Sequence, residues 1–290
     1  MATMTNIPVV DMRPYRIDME DKVDTESLQI VGNSICGAFR DIGFCYIKNH
    51  GIQQALIDKM LSVSKTFFEM PPDLNPKRPS DYKESYKYTP QTGEEVLPDS
   101  EGFEETIKNF RASCETLALR ILDLLSIGLG LEDKHFLRKC HARFGQSGNS
   151  SLLKTMLYPA LPENAVLEPN QLWCGEHTDF GSLSMLFQDD TGGLEVKNLD
   201  GKYIPATPMP GTIVINIGDM MQRWTSDQLI ATEHRVVISE KESKRKMSRQ
   251  SLAFFIQPDD DVVIQSLTNN DKYKPITSVQ YLRGRHGRVY

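Results

Sequence analysis

The chain has 290 residues, of which 39% are apolar and 25% charged, the balance of an ordinary globular protein. A net charge of −6 argues against a nucleic-acid or membrane-surface partner. The longest apolar run falls far short of the roughly 18 residues that a membrane-spanning helix needs. The N-terminus lacks a basic stretch leading into an apolar one, so no signal peptide is expected. The five cysteines (Cys36, Cys45, Cys114, Cys140 and Cys174) are odd in number and show no C-x-x-C spacing. That fits reduced thiols in a cytoplasmic protein better than a disulfide framework or zinc knuckle.

IPVVDM, from Ile7 to Met12, reads as a short strand. Leu28, Val31, Ile35 and Phe39 recur at helical spacing and predict a helix from Ser27 to Arg40. Gly43 breaks it, and FCYIKN (Phe44 to Asn49) reads as a strand. Leu56, Met60, Val63 and Phe67 mark a second helix, from Gln53 to Phe68, ended by Pro71 and Pro72. The polar segment from Pro71 to Pro98 also holds Pro76, Pro79 and Pro90, and is expected to be irregular. The clearest helix runs from Phe103 to Ile127, with Ile107, Phe110, Cys114, Leu117, Ile121 and Leu124 on one stripe. Gly128 and Gly130 stop it.

After about Ser150 the pattern changes to short strands separated by turns: SLLKTMLY, SLSMLFQ, LEVKN, TIVINIG, HRVVIS, SLAFFIQ and VVIQSL. No helix-length segment lies between them. The expected fold is therefore mainly β with flanking helices, around a jelly-roll core. The polar run Lys241 to Lys246 reads as a solvated hairpin tip.

Within this β region, His177 and Asp179 are two residues apart. Residues i and i+2 of a strand share a face at a spacing of roughly 7 Å, so both can reach one ion from a strand end. Among the remaining histidines, His50 sits in a turn, His135 and His141 in a charged helical stretch, and His286 in a basic tail. Only His234, opening HRVVI, shares the β context. Two imidazoles and one carboxylate suit Fe(II) and leave coordination positions open, although the spacing alone is only suggestive.

RQS, from Arg249 to Ser251, opens the next apolar strand. A cation entering a sheet interior is costly unless it meets an anion. Arg249 and Ser251 share a face and could clamp a carboxylate, the alternative being an exposed Arg249 that completes the preceding charge run. Fe²⁺, two neutral histidines, Asp179, a dicarboxylate such as 2-oxoglutarate and Arg249 together sum to zero charge. Such an assembly can be desolvated.

With these motifs in this order, the chain resembles the 2-oxoglutarate and Fe(II)-dependent dioxygenases of the isopenicillin N synthase-like branch. IPVVDM, GFCYIKNHGI and FFEMP resemble that branch's N-terminal region. HTDFGSLSMLFQDDTGGLEV, PGTIVINIGDMMQRWTSD, TEHRVV and RQSLAFFIQP resemble its oxygenase core, and YKPITSVQYL its C-terminal lid. The resemblance implies a double-stranded β-helix core and a division at 1–102 (mixed N-terminal region), 103–149 (scaffold helices), 150–260 (oxygenase core) and 261–290 (lid). It assigns His177, Asp179 and His234 to iron, and Arg249, Ser251 and Tyr158 to 2-oxoglutarate. Phe255 matches a position that often faces substrate, and Asp219 is expected to be a structural turn residue.

The expected partners are a small-molecule substrate and O₂, and the expected reaction is a hydroxylation that releases succinate and CO₂. A 2-oxoglutarate-independent iron oxidase and a non-catalytic binding protein on the same fold are the alternatives. Two features depart from the family pattern. Met156 stands where an Asn is common, and Pro72-Asp73-Leu74-Asn75 shortens the segment between Glu69 and Tyr82 near the expected substrate entrance. The tail arginines Arg283, Arg285 and Arg288 read as solvated, the alternative being contact with an acidic substrate.

Overall fold

A computed structural model describes residues 6–19, 23–70, 84–90, 101–162, 171–238, 246–268 and 270–286. The polar tip at 241–245, Arg288, prolines 71, 72, 76, 79 and 98, and the shortened stretch beyond residue 70 lie outside the described residues. Among the described residues no helix is long and apolar enough to cross a membrane.

Three long helices form one layer: α1 (Thr25–Asp41), α2 (Gln54–Glu69) and α3 (Phe103–Gly128). Asp24 caps α1 by accepting a hydrogen bond from the Ser27 amide, which satisfies one of its free first-turn donors. The predicted stripe of α3 is buried along its length, from Ile107 to Leu124. A short helix, α4 (Phe136–Lys139), follows.

The helix layer packs on a seven-stranded sheet of order β1-β2-β9-β6-β11-β4-β3. Its strands are β1 (Val9–Asp11), β2 (Phe44–Lys48), β3 (Glu84–Tyr88), β4 (Leu152–Tyr158), β6 (Leu183–Gln188), β9 (Thr212–Ile217) and β11 (Arg249–Ile256). Facing it is a four-stranded sheet of order β5-β10-β7-β8. Its strands are β5 (Leu172–His177), β7 (Leu194–Lys197), β8 (Tyr203–Pro205) and β10 (His234–Val237). Two opposed, largely antiparallel sheets with helices on one outer face make the expected jelly roll. Helix α5 (Asp219–Trp224) follows β9, the pair β12 (Val263–Ile264) and β13 (Ile276–Thr277) comes next, and α6 (Ser278–His286) ends the described chain.

Four expectations need correction. The proline-rich segment is not wholly irregular: Glu84 to Tyr88 form β3, an edge strand antiparallel to β4. Pairing with an exposed neighbour outweighs the local loop composition. His177 and Asp179 do not share a strand. His177 ends β5, Asp179 lies in the turn beyond it, and β6 begins only at Leu183. VVIQSL contributes just two strand residues, Val263 and Ile264. Finally, Arg285 lies on a helix and pairs with Asp219 at 2.8 Å, rather than being solvated.

Candidate active site

The site lies between the two sheets. His177 and His234 are directly opposed partners in the antiparallel β5–β10 pair, and the register shifts just after His234. Their rings sit 4.2 Å apart between centroids. The turn after β5 then carries Asp179 inward. It passes so close to the end of β11 and the start of α5 that Gly181 and Gly218 are required. A Cβ on Gly181 would meet the Ile256 carbonyl oxygen at 2.5 Å, and one on Gly218 the Gly181 carbonyl oxygen at 2.3 Å. The Asp219 amide fixes the turn by donating to the Asp179 carbonyl at 2.7 Å. Asp219 is thus the structural residue expected, at the first position of α5.

Asp179 Oδ1 lies 3.8 Å from His177 Nε2 and 3.9 Å from His234 Nε2. One ligand atom from each of the three residues falls within 4.8 Å of the others, and this is the one such group among the described residues. Asp179 and His234 are buried, while His177 is half-exposed at the rim. Backbone acceptors set both tautomers. His177 Nδ1 faces the Gly175 carbonyl at 2.9 Å, and His234 Nδ1 faces the Thr232 carbonyl at 3.1 Å. Each Nδ1–H is thereby committed, leaving each Nε2 lone pair turned toward Asp179. Asn216 donates to Asp179 Oδ2 at 2.7 Å, so the other carboxylate oxygen is left for a cation. Phe44 supports His234 edge-on at 5.3 Å.

Charge in the cluster follows from these contacts. Burial opposes ionisation of Asp179, but His234, His177 and the Asn216 amide outweigh it and hold the carboxyl below its ordinary range. Burial likewise opposes a charge on His177, yet Cys174 and Asp179 raise it to about 9. Burial lowers His234. Without metal the cluster therefore holds its proton on His177, and a cation must displace it. Two imidazoles and one carboxylate with converging lone pairs fit Fe(II).

Arg249 is 1% exposed. Its Nε donates to the Gly192 carbonyl at 2.6 Å and its Nη1 to Ser251 Oγ at 3.1 Å. Tyr158, its cross-strand partner, stacks below it with the ring centroid 5.0 Å from the guanidinium carbon. Among the described residues no carboxylate lies within ion-pair distance of Arg249. The alternative of an exposed Arg249 is therefore ruled out: it is a buried cation, which is costly unless it meets an anion.

An inner chamber of about 70 Å³ is lined by all six predicted residues: His177, Asp179, His234, Arg249, Ser251 and Tyr158. Met156, where the family resemblance would put an Asn, lines one wall. Phe255 lines this chamber and also the outer cleft of about 1050 Å³ that opens above it, so it is not merely core. Cys174 borders both spaces, 3.9 Å from His177 Nδ1. Sequence reasoning missed Asn216. Its signal was a polar residue inside the apolar run TIVINI, which a half-buried strand does not place without a partner.

Comparison with known proteins agrees with this geometry. A family model described as the 2OG-Fe(II) oxygenase superfamily matches residues 147–258. A second, described as the non-haem dioxygenase in morphine synthesis N-terminal, matches residues 7–109. The chain is 30% identical to the proline hydroxylase buaE of Petromyces alliaceus, over 87% of this chain and 91% of that protein. It is 29% identical to the 2-oxoglutarate-dependent dioxygenase htyE of Aspergillus rugulosus, over 90% of each. The crystal structure of a full-length Neurospora crassa protein in complex with alpha-KG superposes with a TM-score of 0.86 at 28% identity, covering 98% of this chain and 96% of that one. Fold, chamber and relatives converge: this chain belongs to the 2OG-Fe(II) oxygenase superfamily, as a non-haem Fe(II) oxidoreductase that uses 2-oxoglutarate.

Proposed function

We propose that His177, Asp179 and His234 hold the iron, that Arg249 and Ser251 hold the distal carboxylate of 2-oxoglutarate above Tyr158, and that the chain hydroxylates a small organic molecule seated in the outer cleft. One observation carries the reading. The fully buried Arg249 faces the same chamber as the three converging donors and, among the described residues, has no carboxylate within ion-pair distance. A chain gains nothing from such a cation unless a bound anion completes it.

Bound iron, with 2-oxoglutarate and O₂, supplies the oxidising chemistry and leaves succinate and CO₂. The protein's own work is placement and exclusion. Arg249 Nη1 and Ser251 Oγ, already joined, offer a preset fork to a carboxylate. Leu186, Val236 and Phe255 give that fork dry walls. His177 stands where the chamber opens into the cleft, so a substrate C–H bond held there meets the metal side of the chamber. Val279, Leu282 and Arg283, from the segment expected to act as the lid, line that opening. Hydroxylation is the default outcome, and desaturation or ring closure needs only a different substrate pose.

Anaerobic Fe(II) plus 2-oxoglutarate is expected to give the chain a weak visible charge-transfer band, absent in Asp179→Ala at unchanged far-UV circular dichroism. A normal band in that variant would overturn the ligand assignment. Product formed without succinate would overturn the cosubstrate assignment.

A further inference from the structure

The outer cleft carries a charge pattern that iron and 2-oxoglutarate leave unexplained. Lys87 on β3 and Lys154 on β4 are direct cross-strand partners, and both line the cleft. Directly opposed residues in an antiparallel pair lie about 4.5–5.5 Å apart between Cα atoms, and like charges there are destabilising. Arg283, on α6, lines the same cleft.

The cleft's own carboxylates do not answer Lys87 or Arg283. Glu176 is 3.2 Å from Arg235, and Glu233 is 2.7 Å from Lys197. Asp260 accepts from Ser150 Oγ at 2.9 Å, and Asp179 belongs to the proposed iron site. Arg285 is already paired with Asp219. Among the described residues neither Lys87 nor Arg283 has a carboxylate within ion-pair distance.

Exposed lysines are ordinarily just solvated. Here they stand across from one another on the wall of a concave cleft, in a chain whose net charge is −6. Lys87 and Arg283, cations on the cleft wall that among the described residues have no carboxylate within ion-pair distance, offer an anion a local attraction that the net charge of the chain does not. The edge strand β3 and the terminal helix α6 supply the two cations from separate parts of the chain, so no single charged run accounts for them.

We infer that the substrate is an anionic small molecule whose oxyanion is held at the mouth of the cleft by Lys87 and Arg283, with Lys154 adding to the field and the reacting carbon pointing toward His177. This rests on the proposed iron and 2-oxoglutarate site. It adds the substrate class, a carboxylate or phosphate ester, and two specificity-determining residues.

The test uses the full chain loaded anaerobically with Fe(II) and 2-oxoglutarate. The probes are aryl and alkyl carboxylates and phosphate monoesters, each matched with its neutral amide or alcohol, and thymine as a further neutral compound. Binding is read from perturbation of the visible band, and turnover in air from succinate. The expected result is a preference of about tenfold or more for anionic members of one of the two series, which tells carboxylate from phosphate. Lys87→Gln and Arg283→Gln should each cut that preference several-fold without changing 2-oxoglutarate affinity, and Lys87→Arg should restore it. The inference is overturned if neutral partners or thymine bind as well as the acids, if no probe binds, or if the double Gln variant keeps its preference. An absent band in the unmodified chain instead overturns the site reading beneath it.

Discussion

The two faces of the seven-stranded sheet are built from the same strands and do opposite jobs. Toward the helices, β11 presents Leu252, Phe254 and Ile256, β6 presents Leu183, Met185 and Phe187, and β9 presents Ile213, Ile215 and Ile217, all in one apolar cluster. Toward the smaller sheet, the alternate positions are Arg249, Ser251 and Phe255 on β11, Ser184 on β6, Asn216 on β9, and Met156 and Tyr158 on β4. A strand's period of two makes this separation available at no topological cost. One register supplies stability and the next supplies chemistry. The polar face can then carry costly groups, such as the buried Arg249 guanidinium, because the packed face behind it holds the backbone in place.

Breaking the packed face should have the largest effect on stability. Phe254 is fully buried against Phe144, with ring centroids 6.0 Å apart, and the Arg111 guanidinium carbon lies 5.3 Å from its ring centroid. Phe254→Ala should cost about 3–5 kcal/mol in denaturant unfolding. The folded fraction should still show the iron and 2-oxoglutarate band, because no atom of Phe254 borders the chamber. A variant of wild-type stability that had lost the band would erase the distinction between the faces.

The opposite face should respond with the opposite sign. Arg249→Leu removes a buried charge that, among the described residues, has no carboxylate within ion-pair distance. Replacing a buried ionic group by an apolar one of similar volume is often neutral or stabilising, by about 1–4 kcal/mol. The free enzyme should therefore unfold no more easily than wild type. Yet 2-oxoglutarate should lose its anchor, at about 2–5 kcal/mol or a roughly 30- to 5000-fold rise in its dissociation constant. A fall in free-enzyme stability matching that of Phe254→Ala would show that Arg249 is structural.

The polar pair Arg249 and Ser251 at the start of an apolar strand made part of the chamber face legible in the sequence, whereas Asn216 inside the apolar run TIVINI carried the same signal unread. The order of His177, Asp179, His234 and Arg249 made the chamber legible as well. What stayed hidden depends on contacts between distant segments. ESYKY becomes β3 only because β4 offers it an edge. SVQYLRGRH shows no apolar stripe, so α6 and the Arg285–Asp219 pair that docks it leave no local pattern. The i, i+2 argument brought His177 and Asp179 together correctly but placed both on a strand. Gly181 and Gly218 let the chain turn sharply enough for Asp179 to reach inward from a loop instead.

Protonation gives the smallest and most graded separation of the two regions. His50 and His141 lie outside the chamber and are buried. His141 sits between the Leu137 carbonyl, 2.7 Å from Nδ1, and Ser182 Oγ, 2.9 Å from Nε2. His50 Nδ1 accepts the Ile52 amide at 3.1 Å, a bond only the unprotonated nitrogen can make. Burial pushes each down to about 4. Each folded-state value lies below the unfolded one of about 6.5, so the unfolded chain takes up protons first. Their stabilisation is complete above pH 6.5 and is lost as pH falls toward 4, at about 2 kcal/mol per histidine by pH 5. His177 has the reverse sign: raised to about 9, it stabilises the metal-free fold below pH 6.5 and loses that contribution as pH climbs through 9. Urea unfolding of the metal-free protein should therefore weaken in both directions. His141→Gln should flatten the acid limb alone, and His177→Gln the alkaline limb alone. An acid limb unchanged in His141→Gln and His50→Gln would mean that the packed side does not titrate, and that carboxylates set acid stability instead.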